Sequence, residues 1–94
     1  MFILQIEHEV PNFEGWKKAF ENDPVNRKKA GVRRYKILQQ ADNPNFVIIE
    51  LEFDQMKDAE DMYAALQNLW KKVEGKIIFS PKIRILSLTE SKDL

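Results

Sequence analysis

The sequence predicts a small α+β domain built in the order β-α-β-β-α-β. Three observations carry that expectation. Two stretches, residues 2–10 and 46–53, divide into the two alternating phases that strands present, and two more, 32–40 and 82–89, read as strands between turn residues. In two others apolar residues recur at every third and fourth position, as helices require. Residues that cap or turn the chain sit at most of the joins. Ninety-four residues suffice for one domain, residues 1–94, with a modest core.

The first strand is "FILQIEHEV", residues 2–10. One phase holds Phe2, Leu4, Ile6, His8 and Val10, and the other holds Ile3, Gln5, Glu7 and Glu9. The single histidine of the chain thus falls in the apolar phase. "PNFEGWKKAFEN" follows with Phe13, Trp16 and Phe20 at helical spacing, and Asn12 is placed to accept from the free amides of the first turn. "DPVNRKKAG" restarts a helix on the same reasoning. Asp23 caps it and Pro24 takes the first helical position, where no amide donor is needed. Gly31 is its left-handed stop, with Arg27, Lys28 and Lys29 at the negative end of the helix dipole.

Residues 32–40, "VRRYKILQQ", form the second strand, and "ADNPN" makes a turn into the third, "FVIIELEF", residues 46–53. Asp54 caps a long second helix whose apolar positions are Ala59, Met62, Tyr63, Leu66, Trp70 and Val73. Lys71 and Lys72 occupy its last turn and Gly75 ends it. "KIIF" is an extended lead-in, Pro81 marks the entrance to the last strand, and that strand covers residues 82–89. The order is the ferredoxin-like one, a four-stranded antiparallel sheet with two helices on one face. The other face carries Ile3, Phe46 and Ile48, which a lone sheet would expose to water. A second copy of the sheet, related by a twofold axis, is the simplest cover.

Fifteen Lys and Arg balance fifteen Asp and Glu, so the chain has no global field that attracts nucleic acid or an anionic membrane. The balance is uneven along the chain, with residues 1–40 at +3, 41–75 at −5 and 76–94 at +2, but folding interleaves these segments. The five cations of "RKKAGVRR" divide between a helix end and a strand, and Arg33 and Arg34 alternate to opposite faces. The paired aromatics that stack bases on sheets of this topology are missing, so no nucleic-acid partner is expected. With no cysteine, disulfides, thiolate metal sites and cysteine nucleophiles are excluded, which suits a reducing cytoplasm. The N-terminus has neither a basic start nor an apolar run, and no stretch is long enough to span a bilayer, so a cytoplasmic protein without membrane contact is expected.

"WKKAFENDPVNRKKAGVRRYKI" and "DNPNFVIIELEFDQMKDAEDM" together carry a family pattern. A helix-one tryptophan, an Asp-Pro with a following Arg, a Gly before a strand containing Tyr, an Asn-bearing hairpin turn, and "EF" ahead of a helix opening Asp-x-x-x-Asp-Ala resemble the dimeric α/β-barrel superfamily. Within it the resemblance is to small proteins related to antibiotic biosynthesis monooxygenases, some labelled cyclases, over about residues 3–89. The resemblance implies a homodimer whose two sheets face each other as a barrel, with a cavity in each subunit between sheet and helices. Members include cofactor-free oxygenases of aromatic polyketides, haem-degrading enzymes and isomerases, so fold does not fix function.

His8 is the candidate catalytic residue, because an imidazole in an apolar wall can act as a general base. Its structural alternative is a strand-end histidine bonded to a neighbour. Trp16, Phe20, Tyr35 and Tyr63 are the candidate pocket residues, the tyrosines as hydroxyl donors. Packing in the core is the competing role for each of the four. Glu50 and Glu52 share a strand phase, and Arg34 is their natural cross-strand partner. His8 with these carboxylates lacks metal-site spacing, so no metal is expected. No cofactor is expected either: the histidine of the haem-degrading relatives lies on a helix, and neither helix here has one. Two functions follow. One is a small-molecule-binding enzyme of the monooxygenase or cyclase kind, acting on an aromatic or polyketide-like compound. The other is a non-catalytic binding or interaction module of the same fold.

Overall fold

The computed structural model describes residues 1–73 and 79–94. Along the chain run β1 (Phe2–Glu9), α1 (Phe13–Glu21), β2 (Val32–Gln40), β3 (Asn43–Phe53), α2 (Met56–Val73) and β4 (Phe79–Ser87). The strands form one sheet in the order β2-β3-β1-β4 with every neighbour antiparallel, the ferredoxin-like arrangement. The expected stop at Gly75 and the lead-in at residues 76–78 lie outside the described residues.

Strand alternation decides what each face buries. Leu4, Ile6, His8 and Val10 of the first segment and Val47, Ile49, Leu51 and Phe53 of β3 are all buried. Trp16 of α1 and Ala59, Met62, Leu66 and Trp70 of α2 complete the same core. Asn12 caps α1 as expected, its side chain accepting from the Gly15 amide.

Four expectations need correction. Residues 24–30 form turns and not a helix. Asp23 and Asn26 take left-handed backbone angles (φ 52° and 51°), which interrupt any helical run, although the Asp23 carboxylate still accepts from the Arg27 amide at 2.9 Å. α2 begins after Gln55, whose carbonyl accepts from Ala59, while Asp54 is drawn off to Arg33 Nε at 2.7 Å. β3 starts at Asn43, because Gln40 pairs with Asn43 and the turn contracts to two residues. Pro44 is tolerated there because β1 pairs with β3 only as far as Phe46, which leaves that stretch a neighbour on one side alone. β4 starts at Phe79 and carries a bulge: between the pairs Glu7 to Lys82 and Glu9 to Phe79, Ser80 and Pro81 stand opposite His8 alone.

Gly31 takes the positive backbone angle the sequence suggests, φ 100°, but it closes a run of turns ahead of β2 and not a helix. A β-carbon there would lie 2.7 Å from the Asp58 carboxylate. The sheet face away from the helices holds cross-strand rows. Arg34 bridges to Glu52 at 3.4 Å as expected, Gln5 donates to Glu50 at 3.0 Å, and Arg84 reaches both Gln5 and Glu7. Between these polar rows Ile3, Phe46 and Ile48 are half-buried, and Leu38 and Leu86 are exposed. No helix among the described residues is long and apolar enough to cross a membrane.

Candidate functional site

A cavity of about 100 Å³ opens between the sheet and the two helices. Ile6 and His8 of β1 and Ile49 and Leu51 of β3 form its floor, because alternation turns that phase toward the helices. Trp16, Ala19 and Phe20 of α1 form one wall, and Leu66, Leu69 and Trp70 of α2 form another. The turns after α1 add Pro24, Val25 and Arg27.

His8 is the polar group of the floor, with only 3% of its surface exposed. Its Nδ1 makes no hydrogen bond to the described residues. Burial holds its pKa at about 4, below the ordinary 6.5, and a contact with the Glu9 backbone offsets a small part of that loss. The ring is therefore neutral at pH 7. It meets Trp16 edge-on at 5.6 Å between centroids.

Trp16 begins an aromatic ladder. It packs against Phe20 at 5.3 Å, and Phe20 meets Tyr35 edge-on at 5.0 Å. The Arg27 guanidinium lies over the Phe20 ring at 3.7 Å and near the Tyr35 ring at 5.2 Å. Its Nη1 donates to the Phe20 carbonyl at 3.0 Å and stands 3.5 Å from Asp23 Oδ1.

Of the residues singled out in the sequence, the fold brings His8, Trp16 and Phe20 to one cavity. Tyr35 does not border it. Its ring supports Phe20 from outside, 46% exposed, and borders a separate cleft with Asp23, Lys28, Arg33 and Arg34. Tyr63 does not border it either. The buried stripe of α2 runs through Ala59, Met62, Leu66 and Trp70, and Tyr63, one residue past Met62, is exposed. Arg27 and the α2 residues Leu69 and Trp70 are lining residues that sequence reasoning missed. Trp70 was legible as core, whereas Arg27 reads locally as a helix-end cation. Only the left-handed turns at Asp23 and Asn26 carry it back against Phe20. Glu50 and Glu52 lie on the opposite sheet face, away from the cavity. Among the described residues no group of three or more His, Asp or Glu side chains is placed to hold a metal ion.

No family model matches the sequence, and no curated protein matches it. Solved structures do. A putative antibiotic biosynthesis monooxygenase from Nitrosomonas europaea aligns with a TM-score of 0.71 at 21% identity, over 96% of this chain and 100% of that one. SnoaB, a cofactor-independent oxygenase from Streptomyces nogalater, aligns with a TM-score of 0.72 at 7% identity, over 96% of this chain and 94% of that one. A dimeric ferredoxin-like protein from an uncultured marine organism aligns with a TM-score of 0.69 at 13% identity, over 99% and 92% of the two chains. At these identities the likeness is one of fold, shared along nearly the whole length.

Proposed function

We propose that this protein binds a small aromatic or apolar molecule in the cavity over His8 and acts on it as a cofactor-independent oxygenase. The observation that carries the reading is His8 itself, a buried imidazole with an unpaired ring nitrogen bordering an apolar hollow. An orphaned buried polar group costs about 1–3 kcal/mol. A ligand hydroxyl or enol that reaches that nitrogen, which is closed to solvent in the empty fold, would recover it. A hollow of about 100 Å³ is of the order that accepts a single aromatic ring. A larger polyketide-like molecule would insert one ring and leave the remainder outside.

The chemistry asked of His8 is removal of a proton from an enolisable or phenolic substrate. A base with a pKa of about 4 is weak against such an acid in the empty site. The reaction changes that balance, because it leaves an anion beside the imidazolium. At ~4 Å and an effective dielectric near 20, that attraction is about 4 kcal/mol, or roughly three pKa units. His8 would then hold the proton near neutral pH. The substrate anion gives one electron to dioxygen, the radical pair joins as a carbon-bound peroxide that takes up the proton held on His8, and loss of water with the remaining C–H proton leaves a carbonyl. One oxygen atom stays in the product and the other leaves as water. SnoaB, described as a cofactor-independent oxygenase on this fold, supports the class of chemistry but not a substrate.

A non-catalytic reading has one observation in its favour: a neutral imidazole can hold a ligand hydroxyl without ever taking its proton. The two part on oxygen uptake with a bound enolisable compound such as anthrone. In either case we take the working form to be a homodimer closed through the sheet faces. The apolar residues Ile3, Phe46, Ile48, Leu38 and Leu86 support this, as does the dimeric ferredoxin-like neighbour.

The test is NMR observation of His8 during titration with phenol, 1-naphthol and anthrone, repeated in Ala19→Leu. His8 signals are expected to move with at least one compound in the wild type. They should stay still in the variant, whose larger side chain fills the hollow. Signals that no compound moves in the wild type would overturn the reading.

A further inference from the structure

Arg27 is the feature that the proposed function leaves unused. It is the cation of an otherwise apolar and aromatic cavity wall, and its side chain is only 13% exposed. A buried cation normally has its donors taken up. Here Nη1 serves the Phe20 carbonyl, while Nε and Nη2 make no hydrogen bond to the described residues. Its acidic neighbour stands beside Nη1 and leaves the edge formed by Nε and Nη2 open. Asp23 is at 3.5 Å, and its Oδ1 already accepts from the Arg27 amide at 2.9 Å.

The stacking geometry decides what the free donors can do. A guanidinium lying over the Phe20 ring at 3.7 Å has its face occupied by the aromatic, so its N–H groups remain at its edge. That edge is the part that matches a carboxylate with two parallel hydrogen bonds. Arg27 also borders the outer cleft, whose other charged residues are Asp23, Lys28, Arg33 and Arg34. Arg33 and Arg34 are partly neutralised there by Asp54 and Glu52, whereas Lys28 has no acidic partner among the described residues.

We propose that the cavity takes an aromatic acid, with a carboxylate on the free edge of Arg27 and a hydroxyl or enol toward His8. The inference rests on the cavity being a ligand site, as the proposed function holds, and adds the charge of the ligand. Two polar points bordering one apolar hollow define the class: one ring, one anionic group and one neutral hydrogen-bonding group.

Calorimetric titration of the full chain with salicylate, salicylamide and phenol tests it, in the wild type, R27Q and R27K. Salicylamide keeps the ring and hydroxyl and removes the charge. Salicylate is expected to bind the wild type roughly tenfold or more tightly than salicylamide, as a charge-assisted pair warrants. R27Q should abolish that preference, so that acid and amide bind the variant alike, and R27K should retain part of it. Equal binding of acid and amide to the wild type would overturn the assignment of Arg27 and leave the ligand cavity standing. An equal loss for both ligands in R27Q, with unchanged preference in the residue that binds, would overturn it as well and make Arg27 a packing cap over Phe20. If none of the three compounds bound and the His8 signals were also unmoved by the larger panel, the cavity reading and this inference would fall together.

Discussion

Replacing His8 by Gln should change how the stability of this protein depends on pH, and by an amount that the structure supplies. His8 has a pKa of about 4 when folded, against 6.5 for the ordinary side chain, because burial disfavours the imidazolium. Between those values the unfolded chain binds a proton that the folded chain rejects. The stability contributed by keeping His8 neutral is therefore complete above pH 6.5, is lost as pH falls toward 4, and changes little below that. At 1.36 kcal/mol per pKa unit, the whole window is worth about 3 kcal/mol. Between pH 7.5 and pH 4.5 the loss is about 2.5 kcal/mol. Carboxylates titrate in the lower part of this range too, but they do so in both proteins. The difference between wild type and His8→Gln isolates the one group. Urea unfolding followed by circular dichroism at fixed protein concentration, at pH steps from 7.5 to 4.5, gives that difference directly. The gap should shift by about 2.5 kcal/mol against the wild type as the pH falls. A gap that stays constant would mean that His8 is protonated without penalty in the fold. The neutral, buried imidazole on which the site reading depends would then be wrong.

Two further predictions concern the scaffold. Gly31→Ala combines a left-handed backbone, which costs an L-residue about 1–2 kcal/mol, with a β-carbon 2.7 Å from the Asp58 carboxylate. A loss of about 2 kcal/mol, or a melting midpoint lower by roughly 8–16 °C, is expected by calorimetry. A variant within about 0.5 kcal/mol of the wild type would show that neither constraint operates. Leu38→Glu puts a charge on the exposed sheet face beside Ile48, its cross-strand partner. Sedimentation should find the wild type as a dimer and the variant as a monomer with unchanged secondary structure, whereas a monomeric wild type would refute the sheet-face contact.

Much of the scaffold was legible along the chain, for reasons that are local. The alternation in "FILQIEHEV" and "FVIIELEF" reports which phase is buried, and both phases came out as read, His8 among the buried residues. Asn12 caps its helix because an N-cap needs nothing beyond its own first turn. Arg34 and Glu52 pair because the hairpin, past the irregularity between Gln39 and Gln40, brings them opposite each other. The failures are equally physical. Asp54 has the right side chain for a cap, but Arg33, twenty-one residues away in sequence, takes its carboxylate. Asp23 and Pro24 look like a helix start, yet the left-handed turn at Asp23 and a second one at Asn26 divert the chain.

The sequence by itself determined the order of the strands and of the two helices, the buried phase of β1 and β3 and the placing of one histidine among apolar neighbours, because these depend on periodicity and on contacts within a few residues. Only the tertiary structure decided which aromatics meet. Trp16 and Phe20 join His8 around the hollow, whereas Tyr63 faces out from α2 and Tyr35 braces Phe20 from beyond the wall. It also decided that Arg27 turns back over Phe20 and that β4 bulges opposite His8. Those outcomes follow from the packing of helices on a sheet and from the path of turns, where residues distant in sequence compete for the same space and the same hydrogen bonds.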